Sequence, residues 1–346
     1  MVMDRRTGSR VVTILEVAKR AGVGVGTVSR VLNDSPQVSA ATRERVQQVI
    51  AELDFRPSHM ARRLSLGRTM TIGVLVPFVA HRSAVERIRG VVERLESTPY
   101  DLTLFNVQTI TQRNELYRSL ADRGRVDGLM VVSLPPSDAE VDRFRTRGVP
   151  LVLVDTAHDR VSHVVVDDHA GGAAATRHLV EHGHRRIGFV GDLPDGRFGF
   201  RAGADRHAGY RAELRAQGIA LDVTLERQGP FGHETAKRHA AELLALPDRP
   251  TGIVATSDTQ ALGVLEAARE AGLRVPEQLS VVGYDDIETA AYADLTTVHQ
   301  PLNETGACGA ELLLELLEGT NGPPVVEQLP VTLVVRGTTG PPPPNP

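Results

Sequence analysis

Residues Thr13–Asn33 read TILEVAKRAGVGVGTVSRVLN and decide the fold of the N-terminal part of the chain. Thr13 and Glu16 have the spacing of a capping box, in which each side chain bonds the backbone amide of the other at a helix start. Gly22 then interrupts the helix, as the tight turn between two helices does. The pattern predicts a helix, a glycine turn and a second short helix over about Gly26–Asn33.

A third helix is predicted after Ser39, a residue type that caps helix N-termini. Apolar residues recur behind it at helical spacing, from Val46 to Leu53. Three short helices with a glycine turn between the first two form a minimal helix-turn-helix unit, whose second helix enters the DNA major groove. The exposed face of that second helix would carry Val25, Gly26, Thr27, Ser29 and Arg30.

Arg30 is the best candidate for reading a base, because its guanidinium matches guanine O6 and N7. Thr27 and Ser29 suit phosphates, which fix the register of a protein on DNA rather than the sequence that it selects. The glycines from Gly22 to Gly26 also resemble a nucleotide-binding loop. That interpretation fails because Thr27 stands where the third glycine is required, and because the segment follows a helix instead of a strand.

The charge of the chain is unevenly distributed. Residues 1–68 carry a net charge of +6 and the remainder −10, within a total of −4 over 346 residues. A basic end on an acidic body suggests contact with a polyanion, although a solvated basic arm would look the same. No apolar run is long enough to span a bilayer, no secretory signal is visible, and the single cysteine, Cys308, allows no intrachain disulfide. These features favour a globular cytoplasmic protein with no membrane contact.

The run Thr13–Leu64 closely resembles the headpiece of the lac repressor (LacI/GalR) family. The resemblance implies a homodimer that places two headpieces on a near-palindromic double-stranded operator. It also implies a hinge helix over Ser58–Leu64, with Leu64 wedged into a minor-groove base step as apolar wedges do; an unpartnered linker leucine is the alternative. The DNA-binding residues expected in this way are Thr13, Val25, Gly26, Thr27, Ser29, Arg30, Asn33, Ala61 and Leu64.

The sequence departs from the family at the start of the second helix. Gly24, Val25 and Gly26 stand where the family usually has polar or aromatic readers. Neither Val25 nor Gly26 can hydrogen-bond a base edge with its side chain. We therefore expect Arg30, the Leu64 wedge and a contact between Val25 and a thymine methyl to carry most of the specificity.

From Thr71 onward, apolar strands alternate with amphipathic helices, the pattern of parallel sheets covered on both faces. Two such series predict two similar lobes, and this part of the chain resembles the periplasmic sugar-binding-protein-like core of the same family, to about Gly337. The predicted fold class is thus an all-α helix-turn-helix headpiece with a hinge helix, followed by a two-lobed α/β core. The expected limits are 11–57 for the headpiece, 58–68 for the hinge, 69–340 for the core and 341–346 for a disordered tail. Within the core, lobe 1 is expected over about 70–166 and 297–325, and lobe 2 over about 167–295 and 326–340, with a strand Gln328–Val335 in lobe 2.

Ligands of parallel sheets bind beyond the carboxyl ends of the strands. Those strand ends include every position that the family uses for its effector, and the resemblance assigns effector contacts to Asp155, Arg206, Phe231, Ser257 and Asp285. Carboxylates and a guanidinium suit a hydroxyl-rich ligand, so a sugar or sugar derivative is expected. An interlobe salt bridge between Arg206 and Asp285, or a core role for Phe231, is the structural alternative. His81, Arg82 and Ser83 depart from the family pattern and suggest an acidic or phosphorylated ligand, or a solvated loop.

No catalytic residues, cofactor or metal are expected. His178, His182 and His184 have spacing that could suggest a metal, but they are better explained as the end of a helix before Gly183. A repressor released by an inducer is the expected function, with corepression or activation left open. A transporter's solute-binding protein and a sugar kinase with an appended DNA-binding domain are the rivals. The proline-rich tail cannot form a C-terminal heptad helix, so we expect a dimer.

Overall fold

The computed structural model describes residues 12–32, 35–55, 68–122, 124–192, 198–320 and 322–344. It divides into a unit that ends at Thr69 and a unit that begins at Met70. No helix in the described ranges is long and apolar enough to cross a bilayer.

The first unit contains three short helices around a small apolar core. Thr13 and Glu16 form the predicted capping box, Gly22 ends the first helix with a left-handed φ of 67°, and Ser39 caps the third. The second helix begins at Val25, one residue earlier than predicted. The core consists of Val17, Ala18, Ala21, Val28, Val31, Val46, Val49 and Phe55. The helices are α1 (Ile14–Ala21), α2 (Val25–Leu32) and α3 (Ala40–Glu52).

The second unit has two lobes, each built on a six-stranded sheet. All strands of the first sheet are parallel, in the order β11-β5-β4-β3-β1-β2. Its elements are β1 (Thr71–Pro77), α4 (Arg82–Leu95), β2 (Asp101–Val107), α5 (Ile110–Leu120), β3 (Gly128–Val132), α6 (Asp138–Arg147), β4 (Leu151–Val154), β5 (Ser162–Val166), α12 (Leu302–Leu317) and β11 (Val326–Leu329).

The second sheet has the order β12-β10-β9-β8-β6-β7, and only β12 runs antiparallel to its neighbour among the described strands. Its elements are α7 (Asp168–Glu181), β6 (Ile187–Asp192), α8 (Ala202–Ala216), a 3-10 turn (Val223–Leu225), β7 (Glu226–Gly229), α9 (His233–Leu244), β8 (Gly252–Ala255), α10 (Asp258–Glu270), β9 (Ser280–Asp285), α11 (Glu288–Tyr292), β10 (Thr296–His299) and β12 (Thr332–Val334).

The last crossings between the lobes differ from the prediction. β10 pairs with β9 in the second sheet, so the chain returns to the first lobe after His299 and not at 295–297. The single strand predicted over 328–335 is two strands, of which β11 joins the first sheet and β12 the second. Pro330 separates them and cannot donate to a ladder. In the tail, expected to be disordered over 341–346, Pro342 is half-buried beside Gly183 of the second lobe, whereas Pro341 and Pro344 are exposed.

Crossing helices approach each other through glycine in both lobes. In the first lobe α4 crosses α12, and a Cβ at Gly306 would overlap the carbonyl oxygen of Arg87. In the second lobe α7 crosses α8, and a Cβ at Gly172 would overlap the carbonyl oxygen of Arg206. Each arginine is followed three residues later by a glycine that faces the partner helix in return, Gly90 and Gly209. The backbone positions of both arginines are therefore fixed by close helix contact.

Candidate functional site

The first candidate site is the outer face of α2. Val28 and Val31 point into the headpiece core, whereas Val25, Gly26 and Arg30 are exposed and Thr27 and Ser29 are half-buried. The helix thus presents the surface that the sequence predicted. Thr13 lies at the N-terminus of α1, where its hydroxyl accepts from the Glu16 amide. Asn33, Ala61, Leu64 and the hinge helix predicted over Ser58–Leu64 lie outside the described residues.

The second candidate site is a cavity of about 730 Å³ between the two lobes of the core. It lies at the carboxyl ends of strands from both sheets, where ligands of parallel sheets bind, and its volume is typical of small-molecule pockets. Of the eight predicted effector residues, the cavity is lined by His81, Ser83, Asp155, Arg206, Phe231, Ser257 and Asp285.

Arg82 does not belong to this cavity. It is the first residue of α4 and its side chain is exposed, so the predicted basic pair of His81 and Arg82 is not formed at the site. Ser257 lines the cavity, but its hydroxyl caps α10 by accepting from the Gln260 amide at 3.2 Å. Its first role is therefore structural.

A polar network runs across the floor of the cavity from one lobe to the other. In the first lobe, the Ser133 hydroxyl donates to Asp155 Oδ2 at 2.5 Å, and Arg87 Nη2 donates to Asp155 Oδ1 at 2.7 Å. Arg87 Nη2 also lies 3.3 Å from Gln300 Oε1. Gln300, which follows β10, donates in turn to Asp285 Oδ1. One side chain thus connects the first-lobe arginine to the second-lobe carboxylate.

The second-lobe end of the network is held by Arg206. Its Nε donates to Asp168 Oδ1 at 2.8 Å, and its Nη1 donates to the Thr256 carbonyl at 2.6 Å and lies 3.6 Å from Asp285 Oδ1. The guanidinium also stacks on the Tyr284 ring, 3.7 Å from its centroid. Burial lowers the pKa of this guanidinium, but Asp168, Tyr284 and Asp285 together raise it above its usual value, so Arg206 stays charged.

Burial changes the carboxylates around the cavity. It raises the pKa of Asp285 to about 6, against the opposing effects of Arg206 and the Gln300 hydrogen bond. Burial also raises the pKa of Asp192 to about 6, although Arg206 and Gln260 oppose it. Perturbed carboxyl groups of this kind mark functional clefts. Backbone strain points to the same place, because Ser133, Asp155 and Asp285 adopt positive φ values of 57°, 62° and 110° at their strand ends.

Aromatic rings form the opposite wall of the cavity. His81 stacks on Phe78 with centroids 5.2 Å apart and contacts Phe231 of the second lobe at 4.5 Å. Phe200 completes this wall. Burial lowers the pKa of His81, so its ring is neutral at pH 7. The cavity therefore combines an aromatic wall with a hydrogen-bonding floor, which is the composition of small-molecule binding sites.

Sequence reasoning missed Arg87 and Gln300. Arg87 lies within α4 at the spacing of Ala84 and Val91, so the periodicity of this helix predicts only that it faces inward. A charged residue at an inward position was the available signal. Gln300 lies just beyond β10, in a region where the sequence predicted only a crossing between the lobes and no strand. Phe78, Ser133 and Asp192 fell within the predicted strand ends but were not singled out.

The histidines near the end of α7 make protein contacts. His184 Nδ1 lies 2.8 Å from Thr251 Oγ1, and His184 Nε2 lies 2.9 Å from the Gly340 carbonyl oxygen. His178 Nε2 lies 2.9 Å from Thr339 Oγ1. In the described ranges, no group of three or more His, Cys, Asp or Glu side chains is arranged to hold a metal ion. These histidines hold the C-terminal segment on the second lobe.

Comparison with known proteins identifies both units. Residues 13–58 match the model of bacterial regulatory proteins of the lacI family, and residues 176–339 match a periplasmic binding protein-like domain. The HTH-type transcriptional repressor PurR of Erwinia tasmaniensis is 37% identical over 309 residues, which cover 88% of this chain and 89% of PurR.

Two solved structures have the same fold. A complex of the transcriptional regulator CelR with cellobiose is 34% identical, covers 94% of this chain and 99% of CelR, and superposes with a TM-score of 0.70. The lac repressor dimer bound to operator and the anti-inducer ONPF is 28% identical, covers 96% of this chain and 100% of that chain, and superposes with a TM-score of 0.83. With its helix-turn-helix unit and its two-lobed ligand-binding core, this chain belongs to the LacI family of DNA-binding transcriptional repressors, which are not enzymes.

Proposed function

We propose that this repressor binds a near-palindromic operator as a homodimer and that a neutral sugar in the interlobe cavity controls its affinity for DNA. The observation that carries the proposal is the composition of the cavity, an aromatic wall of Phe78, His81 and Phe231 facing a floor of carboxylates and guanidinium groups. The cellobiose complex of the related CelR supports a sugar as the ligand class. The cavity volume also allows a ligand larger than one hexose ring.

The charges of the cavity favour a neutral ligand over an acidic or phosphorylated one. Arg87 and Arg206 are already paired with buried carboxylates, and Arg201 has a side chain that is 82% exposed. Asp155, Asp192 and Asp285 would repel an anion. His81 is neutral, and Arg82 is outside the cavity. A phosphate would therefore find carboxylates where it requires cations.

The dimer would form through exposed apolar residues of the core. Val85 and Val92, seven residues apart on α4, are 40% and 44% exposed, and Leu104 on the edge strand β2 is 43% exposed. On the second lobe, Tyr292 is 82% exposed. Large exposed apolar side chains of this kind mark protein interfaces, and the related lac repressor is a dimer on its operator. An operator partner places the protein in the cytoplasm.

Control of DNA affinity requires that the sugar bind one core conformation more tightly than another. The network from Asp155 through Arg87 and Gln300 to Asp285 crosses between the lobes. A ligand that changes the angle between the lobes would therefore change these bonds. We propose release of the operator on sugar binding, with tighter binding as the corepressor outcome.

Thermal-shift screening of neutral sugars, sugar phosphates and nucleobases tests the ligand class. We expect neutral sugars to raise the melting temperature in a concentration-dependent way and sugar phosphates to have no effect. Stabilisation by phosphorylated compounds alone would contradict the proposal. Stabilisation by nucleobases alone would show that the aromatic wall holds a planar heterocycle instead of a sugar ring.

Arg30→Ala tests the DNA-binding surface. We expect a loss of about 1–3 kcal/mol of discrimination between operator and a base-substituted operator at fixed salt, because a bidentate base contact is lost. Arg43→Ala is the matched control, since Arg43 lies on α3, where its Nη2 donates to the Ser35 carbonyl at 2.6 Å. Unchanged discrimination by the Arg30 variant in fluorescence anisotropy would refute this assignment.

A further inference from the structure

Arg87 is the most deeply buried cation on the first-lobe side of the cavity. Its side chain is 4% exposed, yet it lies in the cavity wall beside Asp155, whose side chain is 11% exposed. A buried guanidinium carries a large desolvation cost unless its donors are bonded. The number of acceptors that surround Arg87 therefore matters.

A guanidinium has five N–H donors, and the protein uses only part of this set. Within the described residues, the hydrogen bonds of the Arg87 side chain all involve Nη2, which serves both Asp155 at 2.7 Å and Gln300 at 3.3 Å. The Nε atom is enclosed and has no acceptor there. Arg87 thus brings more donors to the cavity wall than the surrounding protein groups accept.

The position of Arg87 is fixed more firmly than a surface arginine would be. A Cβ at Gly306 of α12 would overlap the Arg87 carbonyl oxygen, and a Cβ at Gly90 would overlap the Asn303 carbonyl oxygen. The two helices therefore meet through their backbones at Arg87 and again three residues after it. With its backbone fixed and its Nη2 bonded to Asp155 and Gln300, the side chain is preorganised, which is what selective recognition of one ligand atom requires.

We propose that Arg87 is a specificity-determining residue that donates to one oxygen of the bound sugar. The same guanidinium holds Asp155 and Gln300, so this contact is connected to Asp285 of the second lobe. The inference rests on the proposed sugar-binding function and adds the residue that selects among sugars. The sugar oxygen accepts a hydrogen bond from an Arg87 N–H group for which the protein provides no acceptor. A sugar that lacks this oxygen leaves that N–H group unpaired.

A thermodynamic cycle between Arg87→Lys and deoxy sugars tests the assignment. Lysine keeps the positive charge beside Asp155 but does not have the planar set of donors. The probes are glucose, galactose, ribose, cellobiose and maltose, followed by the single-deoxy derivatives of the sugar that binds the wild-type chain most tightly. Titration calorimetry on the full-length protein gives each dissociation constant. Arg89→Lys is the matched control, because Arg89 lies on the same helix with a side chain that is 58% exposed.

We expect Arg87→Lys to weaken binding of the parent sugar by about tenfold or more, as the loss of a hydrogen bond to a charged group does. One deoxy derivative should bind the wild-type chain about tenfold more weakly and the lysine variant with no further loss. Arg89→Lys should behave as wild type toward all of the probes. If Arg87→Lys does not fold, as judged by its melting transition without sugar, Arg87→Gln takes its place in the same cycle.

The inference and the function on which it rests can fail separately. Equal losses for every deoxy derivative in wild type and variant would show that Arg87 only supports the structure, and would overturn the inference while sugar binding stands. If no sugar of the set binds the wild-type chain, the proposed function fails and the assignment of Arg87 fails with it.

Discussion

Two arginines, one in each lobe, occupy corresponding positions in the core but differ in how many of their donors the protein uses. Arg87 and Arg206 both line the cavity, both sit on a helix crossed by a glycine, and both precede a second glycine by three residues. Arg206 is enclosed by two carboxylates, a carbonyl and an aromatic ring, whereas Arg87 has one carboxylate and one amide oxygen. In the same local arrangement, the N–H groups of Arg206 bond to protein groups and stabilise the second lobe. Arg87, in the first lobe, keeps N–H donors that the protein does not use.

Replacing Arg206 should give the largest loss of stability. Arg206→Met leaves Asp168 and Asp285 buried without their cation, and removal of one partner from a buried ionic network costs about 3–5 kcal/mol. Urea unfolding of the full-length chain measures this loss. A change below about 1 kcal/mol would mean that the carboxylates relax, by protonation or by exposure to water, and that the comparison between the two arginines is wrong.

Substitution of the glycines at the helix crossings should give the next largest loss of stability. Gly172→Ala and Gly306→Ala each place a methyl group on a backbone carbonyl, and overpacking of this kind costs about 1–3 kcal/mol. We expect similar losses for the two variants, with reduced sugar affinity after Gly306→Ala because Arg87 moves. Gly26→Ala, in helix α2 where a Cβ meets no atom within 4 Å and φ is not positive, controls for adding a methyl group to a helical glycine without overlap. Wild-type stability of both crossing variants would show that the helices adjust freely.

Replacing Arg87 should cost less stability than replacing Arg206. After Arg87→Met, Asp155 keeps the Ser133 hydroxyl as a donor and retains some exposure to water. We expect a loss of about 1–2 kcal/mol, measured by the same urea unfolding. A loss as large as that of Arg206→Met would indicate that Arg87, like Arg206, mainly stabilises the structure. The comparison between the two arginines would then be wrong.

Asp192 gives the stability of the protein a defined pH dependence. Its folded pKa of about 6 lies above the value of about 3.9 for an unfolded aspartate. Its contribution is therefore fully present below pH 4 and is lost as pH rises to 6, because ionisation of the folded state is penalised. Asp192→Asn has no proton to lose, so between pH 4 and pH 7.5 it should gain up to about 3 kcal/mol of stability relative to wild type. The exposed Asp248→Asn serves as control, and parallel pH profiles for wild type and Asp192→Asn would contradict the raised pKa.

The headpiece helices and most strands of both sheets could be predicted from the sequence, because local signals define where they begin and end. Thr13 and Glu16, Gly22 and Ser39 mark helix ends through short-range chemistry. The final crossings were placed incorrectly because the pairing of β10 and β11 depends on contacts with residues far away in the chain. Such pairings leave little trace in a local pattern.

The residues of the candidate site also fall into those that local sequence signals predicted and those that depend on long-range packing. Arg206 and Asp285 were found from strand ends and family resemblance, and both line the cavity. Arg87 was missed because it lies inside a helix, and its exposure to the cavity depends on how α4 crosses α12. Arg82 was included because the stretch His81–Ser83 follows a strand end and departs from the family pattern, but Arg82 begins α4 and its side chain is exposed to solvent. Neighbours in sequence at a helix start need not face the same way.

Operator binding with and without sugar tests the central claim most directly. An operator selected from random duplexes by the full-length protein is titrated in fluorescence anisotropy at fixed salt, with and without a saturating neutral sugar that raises the melting temperature. We predict that the sugar changes operator affinity by about tenfold or more, which corresponds to at least 1.4 kcal/mol of coupling. The change should be strongly reduced in the Arg87→Lys variant at the same sugar concentration. Operator affinity that stays the same with the sugar bound to the core would contradict the account.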